Sequence, residues 1–377
     1  MAMLSGLRVV EFEGLGPGPF CGMLLADLGA DVVLIERAGG VDAGAAGIYK
    51  RGKRSIVLDL KTGAHRDAAL AIVAGADALI EGMRPGVMER LGLGPEEARA
   101  RNKKLVYGRL TGWGQTGPLS RAAGHDINYA ALAGALWYAG GHDAQAGARP
   151  PVPPPTLVGD VGGGALYLAV GILAGVMRAR ETGEGTVIDA AIVDGAAHMM
   201  NLLYSLRAAG GLPEARGGSM LDGAHFYDVY ECADGGWISI GPLEPKFYAE
   251  LVRRLGLEGD AAFAGQYDRE RWPALKQRLR ALFGEKPRAH WVDLLHGTDV
   301  CFAPVLSPAE ALDDPHMRAR GVLREVGGVL QAAAAPRFDG AAPADPAPVP
   351  APGQHTAEIL KEAGLDAAAI AALTSPP

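Results

Sequence analysis

The amino-acid sequence predicts an α/β protein, with a large doubly wound domain on a parallel sheet and a smaller α+β domain after it. Short strands rich in Val, Ile and Leu alternate with helical segments as far as Thr111, which is typical of a parallel sheet covered on both faces. Long apolar helices follow Ala130, and a hairpin pattern begins after a Gly-rich segment at 210–224. A length of 377 residues fits two domains.

The elements of the large domain follow from hydrophobic spacing along the chain. Its predicted strands are 7–12, 31–37, 55–60, 77–82, 105–111 and 183–191. Its predicted helices are 20–28, 65–73, one opening at Pro85, 127–138, 162–180 and 191–209. This order predicts a Rossmann-like arrangement over residues 1–209.

The smaller domain is predicted at 225–325, after the linker 210–224. Two short strands, 227–231 and 237–240, flank Ala-Asp-Gly-Gly, which favours a hairpin. Helical patterns complete this unit at 245–255, 272–283 and 288–296. We expect the last segment, 326–377, to return to the large domain through an exposed Ala/Pro-rich linker at 340–352 and an amphipathic helix at 356–373.

Composition limits the class of protein. The apolar fraction of 49% and the charged fraction of 21% are ordinary for globular chains, and a net charge of −7 argues against a nucleic-acid partner. Cys21, Cys232 and Cys301 build neither a disulfide framework nor a metal spacing, so a reducing, cytoplasmic location is expected. The chain shows no signal-peptide pattern. Its longest apolar run, 161–177, is shorter than the ~20 residues that span a bilayer, so we expect no membrane partner.

Two motifs carry candidate chemistry. Gly-His-Asp-Ile-Asn-Tyr at 124–129 and Leu-Val-Gly-Asp at 157–160 each precede an apolar helix. They place an imidazole, His125, and a carboxylate, Asp160, where both can transfer protons at one substrate carbon. A structural histidine and a capping aspartate are the alternatives, and capping is compatible with catalysis because a helix N-terminus stabilises negative charge. Glu244 also precedes a helix, and capping alone would explain it.

Basic residues predict an anion site. Residues 50–54 hold four cations, which a solvated loop or a phosphate clamp explains equally well. Arg37, Lys61, Arg84 and Arg90 lie nearby in the sequence and favour a polyphosphate ligand at the carboxyl edge of the sheet. The glycines at 14–22 do not fit the spacing of a dinucleotide fingerprint, so we interpret them as a tight turn whose backbone can approach a ligand.

Eight motifs along the chain match those of a known family: 4–11, 25–33, 84–87, 108–118, 124–129, 157–160, 189–195 and 230–235. In these motifs the chain resembles the family III coenzyme-A transferases and, within them, the α-methylacyl-CoA racemases. The similarity runs from Leu4 to about Val322. The resemblance implies the family III CoA-transferase fold and an interlocked homodimer.

The resemblance also implies roles for single residues. In a racemase, His125 and Asp160 would move a proton between the two faces of an acyl-CoA through an enolate, and Glu244 would orient His125. The enolate oxygen would be stabilised by backbone N–H groups near Gly159 and Asp160. The coenzyme-A moiety of the substrate would be held by Arg37, Leu58, Asp59, Leu60, Lys61, Gly82, Met83, Arg84, Arg90, Gly124, His125, Asp126, Ile127, Asn128 and Tyr129. No metal or redox cofactor is expected.

Two further interpretations stay open at this stage. A CoA-transferase would use Asp160 as a nucleophile toward an acyl-CoA, and His125 is the residue that favours the racemase over it. A non-catalytic acyl-CoA binder would not need His125. Thr156, where related racemases carry asparagine, and a segment from Asp222 that is one residue shorter both bear on the acyl pocket, so the acyl group itself is left undefined.

Overall fold

The structure is a computed structural model that describes residues 2–37, 39, 44–140, 142–143, 147–148 and 150–374. The chain forms two compact units. Unit 1 contains Met1–Gly134, Pro154–Met199 and Pro315–Pro377, and unit 2 contains Ala135–Pro153 and Met200–Asp314. The domain boundaries expected from the sequence remain a prediction. Residues 200–209, expected in the first domain, belong to unit 2 in the structure.

Unit 1 is built on a sheet of six parallel strands in the order β3-β2-β1-β4-β5-β6. The strands are β1 (Arg8–Phe12), β2 (Asp31–Glu36), β3 (Arg54–Val57), β4 (Ala78–Glu81), β5 (Val106–Thr111) and β6 (Val187–Ala191). The order reverses between β1 and β4, and such a switch point is where ligands bind in open α/β sheets. The predicted doubly wound α/β fold is confirmed.

Successive side chains of a strand point to opposite faces of the sheet, and helices cover both of these faces. On one face, Val10 and Val33 pack against Ile72 of α2 (Gly63–Ala74) and Leu360 of α14 (Thr356–Glu362). On the other face, Val9 packs with α1 (Pro17–Asp27) and α6 (Leu166–Thr182). The helices of unit 1 are α1 (Pro17–Asp27), α2 (Gly63–Ala74), α3 (Val87–Arg90), α4 (Pro95–Arg101), α5 (Asp126–Leu132), α6 (Leu166–Thr182), α7 (Ile192–Met199), α13 (Pro315–Arg320), α14 (Thr356–Glu362) and α15 (Ala367–Thr374).

Unit 2 is an α+β unit around a three-stranded antiparallel sheet in the order β9-β8-β7. Its strands are β7 (Asp228–Glu231), β8 (Trp237–Ile240) and β9 (Phe302–Val305). Its helices are α8 (Asn201–Ala208), α9 (Pro245–Arg254), α10 (Trp272–Phe283), α11 (Arg288–Leu295) and α12 (Pro308–Asp313). Tyr230, Ile238, Trp272 and Phe283 lie in its core.

Several predicted elements end earlier than expected. The helix predicted at 127–138 stops at Leu132, because Gly134 takes a positive φ of 79° that ends a helix. Gly364, with φ 87°, divides the predicted terminal helix into α14 and α15. The predicted 191–209 helix is also two helices, α7 and α8. The helix expected to open at Pro85 is the short α3, and the next helix, α4, was not predicted.

Among the described residues, five strands were not predicted, of which His142–Asp143 and Gly147–Ala148 are two-residue strands that pair antiparallel. Strand β9 contains Pro304, which argues against a strand except at a sheet edge, where β9 lies. Strands β10 (Leu323–Val326) and β11 (Val329–Ala332) form a hairpin closed by Gly327 and Gly328, both with positive φ. The Pro-rich segment has neither helix nor strand, and Pro348 accepts a hydrogen bond from Gly52 N at 3.1 Å.

The apolar segment after Thr156 is longer than predicted. Leu157–Thr182 is a continuous helix of 26 residues in which an 18-residue window has a mean hydropathy of 1.7, so it is long and apolar enough to cross a membrane by length and composition alone. The prediction that this apolar segment is too short to span a bilayer is therefore wrong. A core helix meets the same criteria, and here Leu168 and Ile172 pack against Val106 of the sheet. The absence of a membrane partner stays a prediction.

Candidate active site

His125 lies directly before α5, on the loop that follows β5. Its backbone N–H donates to Asn128 Oδ1 at 3.1 Å, which fixes the first turn of the helix. The Tyr129 ring packs edge-on against Trp113 with centroids 4.7 Å apart, and its hydroxyl donates to the carbonyl of Gly124. The segment that carries His125 is thus anchored on both sides, while the His125 side chain itself is exposed.

Asp160 lies in the first turn of a π-helical segment, Leu157–Ala165, that runs into α6. Its carboxyl group is partly buried. Segments of π-helix are rare and are frequently found at functional sites. The segment starts after Thr156, whose φ of 55° is unusual for a β-branched residue.

Asp126 joins the two motifs. Its Oδ1 accepts hydrogen bonds from the backbone N–H groups of Gly159 and Asp160, both at 2.8 Å. Asp126 is 6% exposed. A β-carbon on Gly159 would lie 2.6 Å from this oxygen, so the contact requires glycine there. His125, the chain neighbour of Asp126, is thereby held in the same part of unit 1 as Asp160.

The charges around Asp160 act on its ionisation. Burial raises the pKa of the Asp160 carboxyl above its ordinary value, and the negative charge of Asp126 raises it further, while His125 opposes the shift. Burial, and then the charge of Asp160, raise the pKa of the Tyr129 hydroxyl. Asp160 therefore favours its protonated form more than a free aspartate does, next to an imidazole.

The Gly-rich turn after β1 borders the same carboxyl group. A β-carbon on Gly16 would lie 3.6 Å from Asp160 Oδ2, and Gly16 has a positive φ of 68°. The turn leads into α1, as the sequence indicated. Its backbone approaches the carboxyl group of Asp160.

The donors predicted for the enolate oxygen are already engaged. The N–H groups of Gly159 and Asp160 both point to Asp126 Oδ1 rather than to open space. The prediction that they stabilise an enolate is wrong for this structure, and a catalytic enolate needs other donors.

The cation cluster at 50–54 is not a phosphate clamp. Each of its cations is paired with a carboxylate of unit 1: Lys50 with Glu36, Arg51 with Asp27, Lys53 with Glu11 and Arg54 with Asp31. These pairs neutralise the charge that the clamp would need. The phosphate-clamp interpretation is therefore wrong for these four residues.

The residues expected to hold coenzyme A follow the carboxyl ends of neighbouring strands. Arg37 comes after β2, Leu58–Lys61 after β3 and Gly82–Arg84 after β4. The Arg37 side chain is 83% exposed, and Lys61, Arg84 and Arg90 are also exposed. Leu58 is buried in the core, as are Asp126 and Tyr129, so these three side chains face the protein interior.

Glu244 lies in unit 2, directly before α9. Within the described residues its side chain makes no capping hydrogen bond to that helix, so capping does not account for it. Burial and the charge of Glu244 raise the pKa of the nearby Cys301 thiol. Across the residues that the structure describes, no three His, Cys, Asp or Glu side chains are grouped so as to hold a metal ion.

The buried carboxylates of the central strands were not predicted from the sequence. Glu81 of β4 accepts from Arg109 Nε at 3.0 Å and from Met83 N at 2.7 Å, which positions the loop expected to bind ligand. The sequence signal that could have indicated Glu81 is its position as a single acidic residue at the end of an apolar strand. The linking role of the Asp126 side chain had no sequence signal, because its partners lie far along the chain.

The chain belongs to the CoA-transferase family III, whose pattern it matches over residues 4–356. It is 41% identical over 366 residues to the alpha-methylacyl-CoA racemase of Mus musculus, covering 96% of this chain and 94% of that protein. The corresponding human protein is 40% identical over 384 residues, covering 99% and 96%. A crystal structure of a CaiB/BaiF family protein from Brucella suis has a TM-score of 0.80 at 28% identity, covering 96% and 99%. Relatives named CoA-transferases match at lower identity. The family predicted from the motifs is confirmed.

Proposed function

We propose that this protein is an isomerase, an α-methylacyl-CoA racemase or epimerase that interconverts (R)- and (S)-2-methylacyl-CoA. The observation that carries the proposal is that Asp126 links His125 to Asp160. Asp126 follows His125 in the chain, and its Oδ1 accepts a hydrogen bond from the Asp160 N–H at 2.8 Å. The identity to proteins named alpha-methylacyl-CoA racemase supports the same reaction.

Two proton-transfer groups are required because inversion takes a proton from one face of the α-carbon and returns one to the other. A single positioned base contributes ~10²–10⁴-fold, so the intermediate enolate must also be stabilised. In this proposal His125 serves one face and Asp160 the other. The raised pKa of Asp160 suits a carboxyl group that must both donate and accept a proton.

Glu244 is proposed to orient the His125 ring by a hydrogen bond. In the described part of unit 2 the Glu244 side chain makes no capping hydrogen bond to α9, which leaves its carboxylate available for this role. The coenzyme-A moiety is proposed to lie along the carboxyl ends of β2, β3 and β4, where the exposed Arg37, Lys61 and Arg84 follow the strands. Their charges suit the phosphates of this ligand.

The working protein is proposed to be an interlocked homodimer in the cytoplasm that needs no metal or redox cofactor. These points rest on the family resemblance and on composition. Gel filtration with light scattering tests the dimer: a mass near twice 39.0 kDa is expected, and a monomer would contradict it.

The reaction is tested by incubating one enantiomer of a 2-methylacyl-CoA in D₂O without an acceptor acid. Deuterium at the α-carbon together with mixing of the two configurations is expected. A thioester panel that acquires neither deuterium nor the opposite configuration would refute the proposed function.

A family III CoA-transferase is the second candidate, because Asp160 is a partly buried carboxyl bordered by the turn at Gly16. The Asp160 carboxylate would then attack the thioester carbonyl, the C–S bond would break, and an acyl anhydride would form with release of coenzyme A as its thiolate. Hydroxylamine should trap that anhydride only when acyl-CoA is present. An Asp160 that stays unmodified, together with α-deuteration, favours the racemase.

A further inference from the structure

We propose that Asp126 is a positioning residue, whose carboxylate holds the backbone of Asp160 at the place where it works together with His125. The inference rests on the proposed proton transfer and deepens it. Asp126 acts through Asp160 and need not contact the reacting atoms.

The geometry separates this role from that of an ordinary first-turn aspartate. An acidic residue at a helix start usually interacts with the N–H groups of its own helix. Asp126 Oδ1 instead accepts from Gly159 N and Asp160 N at 2.8 Å, on a segment 33 and 34 residues further along the chain. The side chain thus couples the first turn of α5 to the first turn of the π-helical segment.

Burial and packing make this coupling specific. Asp126 is 6% exposed, so water competes little for its oxygen. Gly159 is the partner that leaves room for the carboxylate, because a β-carbon there would lie 2.6 Å from Oδ1 and 3.2 Å from Cγ. The N–H that Asp126 holds belongs to Asp160 itself, so a shift of this contact moves the proton-transfer group directly.

The consequence for catalysis is one of geometry. Proton transfer falls steeply when a reacting group moves by about 1 Å, which costs roughly 10²-fold. Loss of the Asp126 carboxylate releases two N–H groups and lets the Asp160 turn relax. Turnover should therefore fall, while the affinity for the coenzyme-A moiety, held by other loops, should change little.

The test compares Asp126→Ala, Asp126→Asn and a control, Asp234→Ala, by steady-state kinetics with a 2-methylacyl-CoA. Asp234 also accepts backbone N–H groups, from Gly236 and Arg288, but in a hairpin turn of unit 2. Asp126→Ala should lower kcat by roughly 10²-fold with a nearly unchanged KM. Asp126→Asn should recover most of kcat, because its amide oxygen can accept both N–H groups. Asp234→Ala should match the wild type.

Two results would overturn the inference: an Asp126→Ala protein with wild-type kcat, or an Asp126→Asn protein damaged as severely as Asp126→Ala. If Asp126→Ala does not fold, Gly159→Ala serves instead, since its β-carbon displaces the Asp126 carboxylate. An unchanged kcat in Gly159→Ala also counts against the role.

Amide hydrogen exchange distinguishes failure of this inference from failure of the proposed reaction. The amides of Gly159 and Asp160 should exchange slowly in the wild type and in Asp126→Asn, and fast in Asp126→Ala, whether or not the protein racemises a thioester. Equal protection in the wild type and Asp126→Ala would refute the positioning role. A wild type without deuterium incorporation but with the expected protection pattern would refute only the racemase.

Discussion

The ammonium group of Lys53 lies 2.6 Å from Glu11 Oε2, and the two side chains are 0% and 1% exposed. Lys53 also donates to the carbonyl of Pro19 at 3.0 Å, in the first turns of α1. A buried pair of this kind is costly to break because one charge is left without a partner in a medium of low polarity. The Lys53–Glu11 pair therefore holds the Gly-rich turn that borders Asp160 against β1 at the centre of the sheet.

Replacing one member of this pair should destabilise the protein strongly. We expect Lys53→Met to lower the free energy of unfolding by about 3–5 kcal/mol, and the double variant Glu11→Met/Lys53→Met to lose clearly less. Urea titration of both variants measures the difference. Lys104→Met, an exposed lysine, is the control, and equal losses in the single and double variants would contradict the pairing argument.

His125→Ala should separate exchange from inversion. With the imidazole removed, Asp160 can still exchange the α-proton on its own face, so one enantiomer should incorporate deuterium without changing configuration. Inversion should fall by at least ~10²-fold. ¹H NMR and chiral analysis of the recovered acid measure both quantities. His290→Ala, an exposed histidine of unit 2, should behave as the wild type, and unimpaired inversion in His125→Ala would exclude His125 as a proton-transfer group.

Arg84 and Arg54 should differ in their effect on substrate binding. Arg84 is exposed after β4, and its positive charge acts to lower the pKa of the Tyr129 hydroxyl. Arg54 instead forms ion pairs with Asp31 and Glu362. We expect Arg84→Gln to raise KM for the acyl-CoA roughly tenfold, because one charge-assisted contact to phosphate is lost. Arg54→Gln should leave KM unchanged and lower the thermal midpoint. A raised KM in Arg54→Gln with an unchanged KM in Arg84→Gln would instead support a phosphate clamp at residues 50–54.

Glu81 should make stability depend on pH. Burial raises the pKa of the Glu81 carboxyl from 4.5 to about 7, although Arg109 opposes the shift. Between these values the unfolded chain has released the proton and the folded chain still holds it. A rise in pH therefore favours unfolding in that window, by up to about 3 kcal/mol in total.

The substitution Glu81→Gln should remove this part of the pH dependence, because glutamine has no proton to release. Urea titrations at several pH values between 4.5 and about 7 measure it. Glu285→Gln, on the surface of unit 2, should keep the wild-type slope. A Glu81→Gln protein with that same slope would show that Glu81 does not titrate in this range.

Thr156 should be a site where substitution stabilises the protein. A left-handed conformation at φ 55° disfavours a β-branched residue, and asparagine tolerates it better. We expect Thr156→Asn to raise the free energy of unfolding by about 1 kcal/mol, measured by thermal unfolding. Thr156→Val keeps the branch and should gain nothing. A destabilised Thr156→Asn would mean that the threonine hydroxyl offsets the backbone strain.

Much of unit 1 could be predicted because its strands and helices have strong periodic patterns. Strands β1, β2, β4 and β5 begin and end within a residue of the expected limits, since their short apolar runs differ clearly from the helical periodicity of other segments. The predictions failed where a single residue outweighs the pattern, as Gly134 does at the end of α5 and Pro304 does in an edge strand.

The candidate site was only partly predictable, for a different reason. His125 and Asp160 stand out as motifs, but whether their neighbours serve a ligand or the protein depends on partners far along the chain. Lys53 lies in a cluster that a solvated loop or a phosphate clamp explains equally well from the sequence, and its ion pair with Glu11 supports neither interpretation. The N–H groups of Gly159 and Asp160 were predicted to stabilise an enolate, but both donate to Asp126 Oδ1.

The sequence alone determined the doubly wound α/β class, the family and the two candidate proton-transfer residues, because local periodicity and short motifs carry that information. Only the tertiary structure decided which charges are neutralised, which backbone donors are occupied and how Asp126 ties the Asp160 turn to His125. Those properties arise from contacts between distant segments. Burial then sets their strength, because an ion pair or hydrogen bond that excludes water has no competing partner.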